Sequence, residues 1–279
     1  MQLTPEQVKG RIKSIALKNR ADARTLMRIY MMERFLERVS VSRYKDSFVL
    51  KGGMLVTAMV GVSLRSTMDI DTSIKNQNLS VENAERIISK IKDIDIGDCV
   101  TFEIKEISNI MDEMEYPGIR FTMNALMGKM ITPMKIDIST GDVITPKAVE
   151  YSYKLLLEDR SISLWSYNLE TILAEKIQTG LARGVLNTRM RDFYDIKTLL
   201  DIYEQEIDKG IFKEAFNATC GKRGTEQLTA DALHILSAIK NDEQLHGHWE
   251  CYKSKYPYAS EISYEDIIDS TKALVSKLE

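Results

Sequence analysis

KGGMLVTAMVGVSLRSTMDID, residues 51–71, is the stretch on which the reading of this chain turns. Its left end follows a short apolar run, Phe48-Val-Leu50, which has the composition of a buried strand. Gly52 and Gly53 come next, and Met54 to Val60 reads as a helix that starts directly after them. Its right end alternates. Met68, Ile70 and Ile74 fall on one side, and Asp69, Asp71 and Ser73 on the other, which is the period of a strand.

Asp69 and Asp71 therefore leave the same face, with Cα atoms roughly 6.5–7 Å apart. Two carboxylates so placed suit one or two divalent ions, and oxygen donors that leave room for water and phosphate suit Mg2+. A second strand, about Ile131 to Ser139, repeats the arrangement: in Ile136-Asp137-Ile138 the isoleucines face one way and Asp137 the other. If the two strands are neighbours, Asp137 joins the other acids, and three such charges on one face call for cations. The competing reading is a solvated, acid-bearing sheet face, because D-x-D alone is a weak signal. The glycine pair shifts the balance. Between a strand and a helix, its N–H groups can approach phosphate closely, and the helix N-terminus favours negative charge. A tight strand-to-helix turn is the plainer explanation of the same glycines.

Outward from this core, Thr4-Pro5-Glu6-Gln7 has the marks of a helix start. A second helix is expected over about 21–39 and an amphipathic one over 80–92. Strands are expected over 100–107 and 119–126, with a final strand or two between Lys154 and Leu164. After Asn168 helical spacing dominates, near 168–183, 190–204, 226–240 and 261–278. The expected fold class is α/β (α+β): a mixed-sheet domain over 1–160 that includes basic N-terminal helices, then an α-helical domain over 161–279.

In the second half, Leu169, Ile172 and Leu173 define an apolar helix stripe on which Lys176 is the next position. A lysine there is buried in a pair, snorkels to an edge, or reaches a nucleotide phosphate. Asp192 lies on a stripe with Ile196, Leu199 and Tyr203, and Asp195 is one turn away. An ion pair joining helices competes with a functional role for both. Lys176, Arg183, Arg189 and Arg191 lie in a segment without acids, suited to triphosphate or RNA backbone. A solvated helix end has the same composition.

Hydrophobic residues make up 44% of the 279 and charged residues 28%, a composition able to form a proper core. The longest uncharged apolar stretch, Gly52 to Leu64, is too short to span a bilayer. The start MQLTPEQVKG lacks the apolar segment of a signal peptide, so a cytoplasmic location is expected. Three scattered cysteines argue against a disulfide framework or a zinc site. His246-Gly-His248 has the look of a surface segment rather than a ligand pair. The net charge is −3, yet residues 1–50 hold eleven Lys/Arg against five Asp/Glu, a balance of +6 that leaves −9 for the rest. Such asymmetry points to a polyanion met by one face, with Lys9, Arg11, Lys13, Arg24, Arg28 and Arg43 as candidate contacts. Two solvated helix faces rich in arginine are the alternative.

Lys51-Gly52-Gly53 followed by Arg65-Ser66-Thr67-Met68-Asp69-Ile70-Asp71 resembles the nucleotidyltransferase signature of a glycine pair and a D-x-D strand. The form R-x-T-x-D-I-D resembles the AbiEii toxin family of type IV toxin–antitoxin systems. Leu169-Glu-Thr-Ile-Leu-Ala-Glu-Lys176 and Arg189-Met-Arg-Asp192-Phe-Tyr-Asp195-Ile196 resemble that family's later motifs, so the likeness spans roughly residues 48 to 200. It implies a metal-dependent enzyme that moves a nucleotide from an NTP to RNA, tRNA above all, blocking translation and growth in phage defence. It implies Asp69, Asp71 and Asp137 as metal ligands for Mg2+ (Mn2+ as the alternative), with Lys176 and Asp192 completing the catalytic set. Lys51, Gly52, Gly53, Arg65, Ser66, Thr67, Lys176 and Arg191 are the implied nucleotide contacts. The family's antitoxin is a separately encoded repressor, and direct contact with it is not implied. A D-x-D glycosyltransferase and a non-enzymatic RNA-binding protein on the same scaffold are the other readings.

Overall fold

The computed structural model describes residues 3–75, 80–110 and 118–278. Contacts divide the chain into two compact units, residues 1–142 with 148–166, and residues 143–147 with 167–279.

The first unit opens with helices α1 (Pro5–Asn19) and α2 (Ala23–Val41). Thr4 and Gln7 close a full capping box on α1, with Pro5 in its first turn, and Asp22 caps α2 through the Thr25 N–H. The strands are β1 (Phe48–Lys51), β2 (Asp69–Ile74), β3 (Thr101–Ile110), β4 (Gly118–Met127), β5 (Met130–Thr140), β6 (Val149–Lys154) and β7 (Ser161–Ser166). They form one seven-stranded sheet in the order β3-β4-β5-β2-β1-β7-β6. β2 pairs with β5, and β1 with β7, in parallel; the remaining pairs are antiparallel, so the sheet is mixed.

Period-two alternation decides which side is core. Ile70 and Ile74 of β2, Ile136 and Ile138 of β5, and Ile119, Phe121 and Met123 of β4 are all buried. Helix α2 packs against β5 and β7. The short helix α3 (Gly52–Val60) leaves the end of β1 and packs on β1 and β2. Helix α4 (Val81–Lys92) packs against α2 and β3, burying the stripe Ala84, Ile87, Ile88, Ile91. The opposite face of the sheet keeps the polar side chains.

Of the final strand or two expected between Lys154 and Leu164, the region holds most of β7 and the last residue of β6. Between them, residues 155–160 form the hairpin connection. Leu155 and Leu157 are buried there, anchoring the turn. Glu158 and Arg160 from this turn pair with Arg34 and Glu37 of α2, and Arg11 of α1 donates to the Leu157 carbonyl.

The second unit is helical: α5 (Leu169–Arg183), α6 (Met190–Tyr203), α7 (Lys209–Arg223), α8 (Leu228–Lys240), α9 (Glu243–Lys255) and α10 (Tyr264–Val275). α5 packs against α6, α7 and α8, and α10 against α6 and α8. The sequence reading omits α7 and α9. Both bury a helical stripe, Phe212, Ala215, Phe216, Thr219 and Cys220 on α7 and Leu245, Trp249 and Tyr252 on α9, set among many charged and polar residues. Their starts do carry local signals: Asp208 and Asp242 cap them through the N–H groups of Ile211 and Leu245. Among the described residues, no helix is long and apolar enough to cross a membrane.

Candidate active site

Register places four charged side chains in one row across the polar face of the sheet. Lys51 of β1 is opposite Asp71 of β2, Asp71 is opposite Asp137 of β5, and Asp137 is opposite Arg120 of β4. Asp69 lies one step along, opposite Lys135. The period-two reading of both acidic strands thus converges on a shared face. The row is charged plus, minus, minus, plus.

Each end of the row is held differently. Lys51 is buried, and its Nζ donates to Asp142 Oδ2 at 2.8 Å. Burial works against the Asp142 charge, but Lys51 and the Ser139 and Ser73 hydroxyls outweigh it and hold that carboxyl below its usual range. At the other end, Arg120 Nε and Nη2 donate to Asp137 Oδ1 and Oδ2, both at 2.8 Å. Arg120 carries no family motif and is not among the expected site residues. Its only signal in the sequence is a lone arginine on the polar side of an alternating strand.

Asp71 is built into the glycine turn. The Gly53 N–H donates to its Oδ2 at 3.3 Å, at the N-terminus of α3, where a negative charge is favoured. Gly52 has φ +62, and a Cβ there would meet Asp71 Oδ2 at 2.2 Å. A Cβ on Gly53 would meet Thr67 Oγ1 at 2.6 Å and Arg65 Nη2 at 3.2 Å. The glycine pair and the R-x-T-x-D-I-D strand are therefore one packed object. Arg65 and Thr67, expected as nucleotide contacts, are buried beside Gly53, where Arg65 donates to the Ser66 carbonyl and Thr67 to the Asp69 carbonyl. Ser66 between them is half-buried.

Burial, then the charge of Asp137, pushes the Asp71 carboxyl up to about 6, with Asp69 adding to the effect and Lys51 and the Gly53 N–H opposing it. A cation beside Asp69 and Asp71 would relieve that repulsion, and an all-oxygen donor set suits Mg2+. Among the described residues, no group of three or more His, Cys, Asp or Glu side chains is arranged to hold a metal ion. Both oxygens of Asp137 accept from Arg120. Asp69 and Asp71 leave the same face of β2, and their carboxylate oxygens are the donor type a divalent ion takes; Asp137 would have to leave or share Arg120 to join them.

In the helical unit, Lys176 Nζ of α5 donates to Asp192 Oδ1 at 2.9 Å and to Asp195 Oδ2 at 2.6 Å, both on α6. The Asp195 side chain is fully buried and that of Asp192 is 18% exposed. Arg191 donates to the Tyr256 hydroxyl at 2.7 Å and lies over that ring. Arg183 is half-buried and Arg189 exposed. His246 packs edge-on against Tyr264.

The basic N-terminal region divides by burial. Arg34 and Arg38 are internal, paired with Glu37 and Glu158, and with Asp98. Lys9, Lys13 and Arg24 are exposed. Arg28 donates to the Pro133 carbonyl and to Met68 Sδ, which puts it near the start of β2, where Asp69 lies, and the middle of β5. Arg43 lies against Tyr44.

The family described as "Nucleotidyl transferase AbiEii toxin, Type IV TA system" matches residues 34–270. Two solved Helicobacter pylori structures share the fold. JHP933 aligns with a TM-score of 0.52 at 15% identity, over 91% of this chain and 93% of that one. A protein described as a candidate nucleotidyltransferase aligns with a TM-score of 0.52 at 14% identity, over 91% of this chain and 96% of that one. No curated protein sequence matches the chain.

Proposed function

The chain belongs to the AbiEii family of nucleotidyltransferase toxins of type IV toxin–antitoxin systems, and on that premise we propose that it transfers a nucleotide from an NTP to RNA. tRNA is the acceptor class we favour, and arrest of translation in the cytoplasm during phage infection is the outcome. The observation that carries the reading is the approach of Asp71 to Gly52, which joins the glycine turn to the acidic strand in one piece. A partner antitoxin accompanies such a toxin by family, with no direct contact implied.

Asp69 and Asp71, joined by Asp137, would hold Mg2+ or Mn2+. Such an ion supplies charge for the pyrophosphate leaving group and lowers the pKa of the attacking hydroxyl. The chain's own parts prepare that site. The Gly53 N–H orients the Asp71 carboxylate, and Lys51, anchored by Asp142, offsets part of the negative charge. Gly52, with no side chain, leaves room for Asp71. Exposed basic residues of α1 and α2 supply contacts for the RNA backbone.

The test is incubation of the purified chain with each labelled NTP, Mg2+ and total RNA. Label entering RNA, and lost in Asp71→Asn, is the expected result. No transfer from any NTP overturns the proposal, and turnover of nucleotide sugars instead would favour a glycosyltransferase. Tight RNA binding without turnover would favour a binding protein on this scaffold.

A further inference from the structure

We propose that Arg120 is the resident counter-ion of the acidic site: it holds Asp137 while the acids lack a cation, releases it when they take one, and then turns its guanidinium to the phosphates of the nucleotide. The inference rests on the metal-dependent reading above and assigns a role to a residue outside the motifs.

Geometry comes first. A carboxylate whose two oxygens each accept from a separate guanidinium nitrogen has its best donor directions filled. Asp137 cannot turn toward Asp71 without loosening that fork. Arg120 and Asp137 are direct cross-strand partners, so exchange of one partner for another needs only a side-chain rotation.

Asymmetry along the row identifies which cation moves. Lys51, at one end, has a side chain 9% exposed and is tied to Asp142, whose side chain is fully buried. Freeing Lys51 would strand a buried carboxylate. Arg120, at the other end, has a side chain 23% exposed and lies toward solvent. Its greater exposure makes its rotation away from Asp137 the less costly one, provided the acids gain a cation in exchange. A planar guanidinium fork freed beside three carboxylates is suited to bind phosphate oxygens in pairs, which a lysine would do only as a point charge. The alternative is that Arg120 permanently fixes Asp137 as a positioning residue.

The two roles predict opposite effects on metal affinity. Mn2+ binding to the full chain would be measured by calorimetry for wild type, Arg120→Gln, Arg120→Lys and Asp71→Asn. Removal of a competing cation should tighten Mn2+ binding in Arg120→Gln by about fivefold or more, since competition for one carboxylate is a reciprocal coupling. Arg120→Lys keeps the charge and should stay near wild type. With Mg2+ present, a non-hydrolysable NTP analogue should bind about tenfold more weakly to Arg120→Gln, the loss of one charge-assisted contact. Unchanged or weaker Mn2+ binding in Arg120→Gln overturns the counter-ion role in favour of positioning.

A second readout uses the wild-type chain and does not depend on the variant's folding. The Arg120 side-chain Nε–H resonance, assigned by its loss in Arg120→Lys, should shift as Mg2+ is added. A resonance that stays in place through saturation overturns the proposal while leaving the metal site intact. If wild type binds Mn2+ no better than Asp71→Asn, the metal site itself fails, and this role for Arg120 falls with it.

Discussion

The carboxylate of Asp71 fills the space that a side chain at Gly52 would need: a Cβ there would lie 2.2 Å from Oδ2 and 2.7 Å from Cγ. The backbone at Gly52 is also left-handed, with φ +62. Gly52→Ala meets both penalties. The left-handed backbone alone costs roughly 1–2 kcal/mol, and the clash moves the acid that the site depends on. We expect loss of transfer together with a lowered melting temperature. At Gly53 the obstacle is Thr67 Oγ1, so Thr67→Ala should partly rescue Gly53→Ala and do nothing for Gly52→Ala. Melting curves of the two double variants check this non-additivity.

Lys176 stands between two carboxylates of unequal burial. Asp195→Ala removes the lysine's fully buried partner, and Lys176→Met removes the ammonium 2.6 Å from that buried Asp195. Breaking such a pair costs about 3–5 kcal/mol. Asp192→Ala should cost much less stability, because its side chain reaches solvent. Urea titration of the three variants gives the order. Equal losses for Asp192 and Asp195 would show that burial does not govern this cluster.

Glu33 sits inside the first unit, accepting from the Leu156 N–H and the Tyr153 hydroxyl, with Arg34 and Glu158 nearby. Burial pushes its carboxyl up to about 8 from an ordinary 4.5. The folded state therefore binds this proton more tightly than the unfolded chain does. The group's contribution is full below the unfolded value and is lost as pH rises toward 8. Stability should fall across that window in wild type, and the fall should be shallower in Glu33→Gln. Urea midpoints from pH 5 to 9 compare the two; parallel curves would exclude Glu33 as the source.

The basic residues of the N-terminal region should separate into two classes. Neutralising exposed Lys9, Lys13 and Arg24 should weaken RNA binding and flatten its salt dependence by about 0.7 in log–log slope per contact on single strands. Thermal stability and NTP affinity should change little. Arg38→Met should do the reverse, lowering stability because Asp98 is left buried without its bidentate partner. A full salt slope in the triple neutral variant would place the RNA surface elsewhere.

Much of the candidate site is legible in the order of residues alone. Alternation around Asp69, Asp71 and Asp137 depends only on the local two-residue period of a strand, and the capping signals of α1, α4 and α5 act within a single turn. Local rules of this kind need no partner, so residue order determined which acids share a face and where most helices begin. The glycine pair is legible as a tight strand-to-helix turn, but not the neighbour that requires it, because Asp71 lies eighteen residues beyond Gly53 in sequence. Arg120 is invisible for a related reason. Its meaning comes from the β4–β5 register, and cross-strand register is set by packing of the whole sheet. Where the final hairpin turns is also invisible in spacing, because the turn is fixed by the pairing of residues 158 and 160 with α2. Sequence by itself therefore determined the fold class and the acidic face. Tertiary structure decided which cation answers each acid, because opposite charges meet through register and burial rather than through spacing along the chain.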